Sequence, residues 1–443
     1  MMNPRKTLPA LIALLFSVLW GVMVSAEGRQ DSVRERQTIA VITDPHYLSP
    51  SLFDEGPLFD RVVYGGDGKN LYIQDQLLAA LSDDLVRHDI DALLVTGDIT
   101  LNGERQSHKD FAARLKTIEN RGIDVFVIPG NHDLNNPKAR GFTDEQVRPV
   151  QSLTPGQFLS VYRNYGFSEA LSRDKDSLSY LVELNPDVRL LMLDSNQYDM
   201  NLSMGYSDPG GLFKPSTLQW IQDVAEEAVE EGAVLFAALH HSLIDHHSML
   251  TRGFTIDNNK ALLSRFKTYG IEAALTGHIH VQDIVSDENG EGLIYDIAGG
   301  AFTVYPHTYG VLELGEESWS YETREVDVPS WAAQNDPENT DLLDFEHYSS
   351  GFFRDFSHRM VEKQLEGSDY SSDDIASISE IAGILNLNFF AGLEEKNTPS
   401  LEGYDLESLL GDSESFMLMY LQSITEDSGP DDNYLEKKYN IQY

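Results

Sequence analysis

Asp91-Ala-Leu-Leu-Val-Thr-Gly-Asp98 is a short apolar run closed by a glycine and an acid. The run is too short for an ordinary helix and has no polar face, so it reads as a buried strand. Gly97 lets the chain turn, and Asp98 stands at the carboxyl end of that strand. The same pattern recurs on both sides. Thr38–Thr43, Ile123–Ile128, Arg189–Leu193, Ala233–Leu239 and Ile271–Thr276 are short apolar runs of the same kind. Between them, Leu71–Arg87, Gln106–Asn120, Pro215–Glu230 and Asn259–Tyr269 carry apolar residues at helical spacing. Strands alternating with helices predict a layered α/β domain over residues 38–326. Asp283–Leu314 is predicted to form hairpins broken at Asp287-Glu-Asn-Gly290.

Each strand end carries chemistry. Asp44-Pro-His46 follows the first strand and Asp98 the second. Gly130-Asn-His-Asp133 follows the third, His240-His241 the strand from Ala233, and Gly277-His-Ile-His280 the strand from Ile271. In open α/β sheets, ligands bind beyond the carboxyl ends of the strands. One crevice would thus receive Asp, His, Asp, Asn, His, His and His. Imidazole, carboxylate and amide oxygens together suit Mn, Fe or Zn. Seven ligands exceed the needs of one tetrahedral ion. A shared carboxylate would let two ions sit about 3.5–4 Å apart, as in two-metal hydrolases. His278 and His280 are two apart, so on an extended segment both would point the same way. A lone Asp-x-His or Gly-Asp is a common turn, but all five motifs in this order, each behind a strand, form a functional set.

With those motifs in place, the sequence resembles the calcineurin-like metallophosphoesterases, over residues 38–326. The resemblance implies a four-layer α-β-β-α sandwich of two mixed sheets. It implies one divalent metal on Asp44, His46, Asp98 and His280, and a second on Asp98, Asn131, His240 and His278, with Asp98 bridging. It makes His132 the catalytic histidine at the leaving group, and attack would come from a hydroxide bridging the metals. His240 rather than His241 matches the family's fourth motif, so His241 reads as pocket wall or support. Leu101 stands where purple acid phosphatases place a metal-binding tyrosine, so a tyrosinate–iron site is not expected. Asp98-Ile-Thr-Leu-Asn-Gly103 fits the class III cyclic-nucleotide phosphodiesterases and their exported bacterial relatives.

Other residues leave alternatives open. His307, after Tyr305-Pro306, is either a substrate contact or a structural histidine. Arg140 is either a phosphate contact or a loop residue, and Asn102 either orients His132 or the phosphate or serves a turn. His246-His247 is either a third metal site or a polar loop. His88, His108, His347 and His358 fall on helical patterns and read as surface. The long tract Pro50–Lys69 lies beside the first motif and is expected to help form the substrate pocket.

The charge bounds the substrate. The 443 residues hold 32 Lys and Arg against 72 Asp and Glu, a formal net charge of −40. Wrapping nucleic acid leans on basic residues, so a polymer partner is not expected. Small phosphoesters are. With no cysteine, disulfides, thiolate zinc sites and cysteine nucleophiles are excluded. The resemblance leaves three functions open: a phosphodiesterase acting on cyclic nucleotides or related diesters, a broad phosphomonoesterase, or a secreted binding protein with a decayed site.

The chain ends read differently. Arg5 and Lys6 precede the uncharged apolar run Leu8–Val24, and Val24-Ser-Ala26 has the small residues of a cleavage site. This pattern predicts a signal peptide, residues 1–26, and a secreted or extracytoplasmic protein. An uncleaved anchor is the alternative. Residues 331–443 hold 24 acidic and 6 basic residues. Their periodicity predicts helices over Phe356–Leu365, Ile375–Leu387 and Leu406–Leu421, an acidic helical C-terminal appendage with no motif residue.

Overall fold

The Ala92–Thr96 strand is buried along its whole length, because neighbours flank it on both sides. A computed structural model describes residues 36–143, 145–289, 292–397, 416–425 and 429–440. The predicted signal segment, and residues 398–415 of the tail, lie outside the described residues. Among the described residues, no helix is long and apolar enough to cross a membrane.

Two mixed sheets form the core. The first runs, in spatial order, Tyr434–Lys438, Ser318–Glu325, Thr308–Leu314, Gln37–Ile42, Ala92–Thr96 and Asp124–Ile128. The second runs Asp283–Asp287, Ile294–Ala298, Ile271–Thr276, Val234–Leu239, Val188–Leu193, Tyr180–Asn185 and Ser172–Arg173. Gln37–Ile42, Ala92–Thr96 and Asp124–Ile128 pair in parallel, as do Val188–Leu193, Val234–Leu239 and Ile271–Thr276. Parallel pairing brings every motif-bearing carboxyl end to the same side of its sheet.

Apolar faces join the layers. Phe236 of the second sheet meets Trp319 of the first edge-to-face at 5.5 Å. The Trp319 indole donates to Glu272 at 3.2 Å, so its one polar atom is satisfied in the core. Helices Pro215–Glu230 and Asn259–Thr268 cover the second sheet through Leu218, Ile221, Leu262 and Phe266. Helices Gln74–Arg87 and Arg105–Glu119 bury Leu77, Leu81, Phe111 and Leu115 in the same core as the first sheet. The result is the helix–sheet–sheet–helix arrangement that the resemblance implies.

Two features depart from the sequence reading. Asp283–Leu314 is not one set of hairpins. Asp283–Asp287 and Ile294–Ala298 do form one, but Thr308–Leu314 crosses to the other sheet and pairs antiparallel with Gln37–Ile42. The tail is not purely helical: Tyr434–Lys438 adds an edge strand against Ser318–Glu325. Its helices, Phe345–Gln364 and Ser372–Phe390, pack Val361, Leu365, Ile378 and Leu385 against Ile279 and Val281. The described residues, from Arg36 onward, accordingly form one compact unit.

Candidate metal centre

The two sheets contribute different halves of one cluster. The first supplies Asp44, His46, Asp98, Asn131 and His132; the second supplies His240, His278 and His280. Three overlapping sets have ligand atoms within 4.8 Å of one another: Asp44–His46–His280, His46–Asp98–His132 and Asp98–His240–His278. Asp98 has one oxygen toward each half. Its Oδ1 lies 3.4 Å from His240 Nε2, and its Oδ2 lies 3.8 Å from His46 Nε2. Asn131 joins the His240 side, with Oδ1 at 3.1 Å from Nε2.

The backbone is bent to bring these atoms together. Asp44, His46, Asp98, His278 and His280 all have positive φ, from 42° to 70°. Side chains rarely adopt this conformation, and it persists only where the surroundings over-determine it. The His278–His280 segment is therefore not the extended stretch that its spacing suggested. Two glycines are needed for the close approach. A Cβ at Gly130 would run into the Asp98 backbone and carboxylate, and one at Gly277 into Thr43.

Hydrogen bonds set three of the imidazoles. His240 Nδ1 donates to the Thr96 carbonyl at 3.0 Å, which leaves Nε2 as its lone-pair atom. His278 Nε2 donates to the Gly253 carbonyl at 2.8 Å, which leaves Nδ1. His132 Nδ1 donates to the Leu101 carbonyl at 2.7 Å, and its side chain is 33% exposed, so Nε2 is the atom open to a substrate. Asp44 Oδ2 accepts from Thr43 Oγ1 at 2.5 Å and from the His278 amide at 2.8 Å.

The site's electrostatics demand positive charge. Asp44 and Asp98 are buried, and among the described residues their ion-pair partners are all histidines. Asp44 Oδ1 and His46 Nδ1 are buried without a hydrogen-bond partner. Burial works to raise both carboxyl pKa values, yet the neighbouring histidines outweigh it, His280 at Asp44 and His240 at Asp98, and hold both well below the usual range. At His240 burial opposes protonation, but Asp98 and Asp44 prevail and raise the imidazole to about 9. Without a cation, the carboxylates thus draw a proton onto a ring that would otherwise be a ligand. Buried charges of this kind are normally paired or coordinate metals. Hard oxygens with imidazoles, an orphaned carboxylate oxygen and the close-packed glycines fit divalent ions.

Several candidate residues lie outside the cluster. His241 is buried, with Nδ1 on the Ser195 hydroxyl at 2.7 Å and Nε2 on the Pro209 carbonyl at 3.0 Å. His307 is buried beside Phe345, with Nδ1 on the Phe302 carbonyl at 3.1 Å. Both rings are buried and hydrogen-bonded to protein groups. Arg140 donates to the Pro137 and Ala139 carbonyls. Asn102 accepts from Asn136 rather than orienting His132. His246 sits between Asp283 and Asp296, and His247 between the Met249 and Leu250 amides and the Ser423 hydroxyl, so their ring nitrogens are taken. His108 is not a surface residue: it is buried against Thr100 at 3.2 Å and Tyr162 at 3.0 Å.

The sequence reading passed over Asp133. Its buried carboxylate accepts from the Gly130, Ile99 and Thr100 amides at 2.8, 3.0 and 2.9 Å. It thereby ties the Asp98 loop to the Asn131 loop. Its place next to His132 in the motif was the available signal.

The chain is similar to several known proteins. Residues 37–282 match the model of the family described as calcineurin-like phosphoesterase. Residues 327–431 match the C-terminal domain of cyclic nucleotide phosphodiesterase. A probable cyclic nucleotide phosphodiesterase of Ruthia magnifica is 23% identical over 222 residues, 50% of this chain and 74% of that protein. A dimetal phosphatase from Danio rerio superposes with a TM-score of 0.49 at 15% identity, over 65% of this chain and 96% of that one. A purple acid phosphatase from yellow lupin seeds gives 0.41 at 11% identity, over 67% of this chain and 52% of that one.

Proposed function

The chain belongs to the calcineurin-like phosphoesterase family, as a metal-dependent phosphoric ester hydrolase, and on that premise we propose that it cleaves small phosphodiesters, cyclic nucleotides foremost, with two divalent cations. The observation that carries the two-metal reading is Asp98, with one oxygen toward His240 and the other toward His46. Asp44, His46, Asp98 and His280 would hold one ion. Asp98, Asn131, His240 and His278 would hold the other. Bound there, the cations supply Lewis acidity toward a phosphoryl oxygen and a nucleophile at neutral pH.

The protein's own groups do the rest. Thr43 and the His278 amide fix Asp44, and the Thr96 and Gly253 carbonyls fix the rings of His240 and His278. His132, anchored on Leu101, presents Nε2 to the leaving oxygen; as the imidazolium, protonated on both nitrogens, it gives the Nε2 proton to that oxygen as the ester bond breaks and is left neutral. A net charge of −40 repels long polyanions, while cations in the crevice invert the sign locally for small esters. The preference for cyclic nucleotides is supported by the C-terminal match and by the name of the Ruthia relative.

Hydrolysis of a panel of cyclic and linear nucleotides, with a chromogenic monoester and diester, under Mn, Fe and Zn in turn, tests this reading. Faster turnover of monoesters than of any diester would replace it with a phosphomonoesterase, and no turnover with any metal would remove it. We also read the chain as exported, on the apolar run Leu8–Val24. Amino-terminal sequencing of the mature protein, expected to begin after Ala26, tests that.

A further inference from the structure

The segment Gly65-Gly-Asp-Gly-Lys-Asn70 joins helix Pro57–Gly65 to the core and is bracketed by two parts of the molecule. On one side, the Asn70 amide donates to the Thr303 carbonyl at 2.7 Å, and the Thr303 hydroxyl donates to the carbonyl of Asp44 at 3.5 Å. The loop is thereby tied to the first metal-ligand motif. On the other side lies helix Phe345–Gln364 of the C-terminal region. Asn70 Nδ2 donates to the Tyr348 hydroxyl at 3.2 Å. Gly68 has φ of 77°, and a Cβ there would come within 2.7 Å of the Phe353 ring.

Lys69 is held in that bracket with 6% of its surface exposed. Its ammonium donates to Asp67 Oδ2 at 2.9 Å, the one acceptor it has among the described residues. An ammonium carries three N–H donors, so two lack a protein partner. A buried ammonium left in this state is costly unless something accepts from it. Asp67 is a replaceable partner, because its side chain is 78% exposed and water can take it. The loop that carries the pair reaches the metal-ligand cluster through Asn70 and Thr303, whose hydroxyl donates to the carbonyl of Asp44.

We propose that Lys69 is a substrate-positioning residue, whose ammonium exchanges Asp67 for a non-bridging phosphate oxygen and is kept in place by the C-terminal helix through Gly68 and Asn70. The proposal rests on the phosphoesterase reading for its ligand. The exchange swaps one anion for another at the same donor. It keeps an anionic acceptor on the ammonium and releases Asp67 to solvent. It also gives the C-terminal region a part in substrate choice without a residue of its own at the metals: the helix sets where the cation stands.

The test is calorimetric titration of inorganic phosphate into the manganese-loaded protein, with kcat and KM measured beside it. Lys69→Met should bind phosphate about 10–100-fold more weakly, the range of one hydrogen bond to a charged group, with metal content unchanged. Lys69→Arg, which keeps the charge, should lie between. Asp67→Asn should bind phosphate at least as tightly as the wild type, because it removes the competing carboxylate. Wild-type affinity in Lys69→Met, or loss of metal from it, would overturn the proposal. So would Asp67→Asn weakening as much as Lys69→Met, because the pair would then be structural. If Lys69→Met does not fold, the arginine and Asp67→Asn variants decide the matter. A wild-type protein that binds phosphate in this pattern but hydrolyses no ester would leave the Lys69 site standing and remove the hydrolase reading.

Discussion

His46 Nε2 and His280 Nε2 face one another at 3.1 Å, one from a strand end of the six-stranded sheet and the other from a strand end of the seven-stranded sheet. Asp44 Oδ1 lies 3.6 Å from the first and 3.3 Å from the second. Three potential ligand atoms thus converge across the seam between the sheets. Any cation bound there also cross-links the two sheets, so metal content and sheet packing should report on each other.

Asp98 is the residue common to both halves. Asp98→Ala should lose metal from both and bring activity to the limit of detection. Asp44→Ala, which touches one half, should retain part of its metal. Elemental analysis beside hydrolysis of a chromogenic diester checks this. Near wild-type turnover of Asp98→Ala in excess manganese would remove the bridging role.

His132 should separate from the ligands. Its Nδ1 is engaged by Leu101, and its Nε2 is the more open atom. His132→Ala should keep its metal while slowing turnover about 10²–10⁴-fold, the usual contribution of a positioned acid. The deficit should shrink for esters with good leaving groups, which need no protonation. Loss of metal in this variant would make His132 a ligand instead.

Much of this was legible in the sequence because the signals are local. Pro215–Glu230 is a helix over the whole predicted range, since its apolar spacing and leading proline act within one element. The ligand residues were legible because each follows an apolar strand. What escaped notice is set at long range. Tyr434–Lys438 is short and charged, as edge strands often are, and only its register with Ser318–Glu325 makes it a strand. His108 looked like a surface residue on a helix, but its ring is fixed by Tyr162, 54 positions away. The positive φ of five ligand residues depends on both sheets being in place, and no motif spacing encodes it.

His246 makes stability depend on pH. Its Nδ1 lies 2.5 Å from Asp283 Oδ2, and its Nε2 lies 3.2 Å from Asp296 Oδ2, all buried or nearly so. Burial opposes its protonation, but Asp296 and Asp283 prevail and raise the imidazole to about 10. The folded-state value is above the unfolded one, near 6.5. The stabilisation is therefore whole below about pH 6.5 and is lost as pH rises through about 10. Thermal unfolding of the wild type should fall across that window. His246→Leu should cost about 3–5 kcal/mol at pH 7, because it leaves two carboxylates without their cation. That deficit should narrow as pH rises, and a constant deficit from pH 6.5 to 10 would show that packing, not charge, is what His246 supplies.

The C-terminal region also bears on the metal site through Ile279. Ile279 lies between His278 and His280 and turns away from them into the apolar cluster of Val361, Leu365, Ile378, Ile381 and Leu385. The two ligand histidines, with φ of 70° and 66°, are thus held by packing from outside the catalytic sheets. Ile279→Ala should cost about 2–5 kcal/mol, as large-to-small core changes do. It should also weaken metal binding, because the strained turn loses what over-determines it. Deleting residues 327–443 should do both more severely, exposing Ile279 and Val281 and removing the edge strand Tyr434–Lys438. Metal titration of Ile279→Ala at a temperature where it is fully folded separates the two effects. Wild-type metal affinity there would show that the turn holds itself, and that the C-terminal region stabilises the fold without shaping the site.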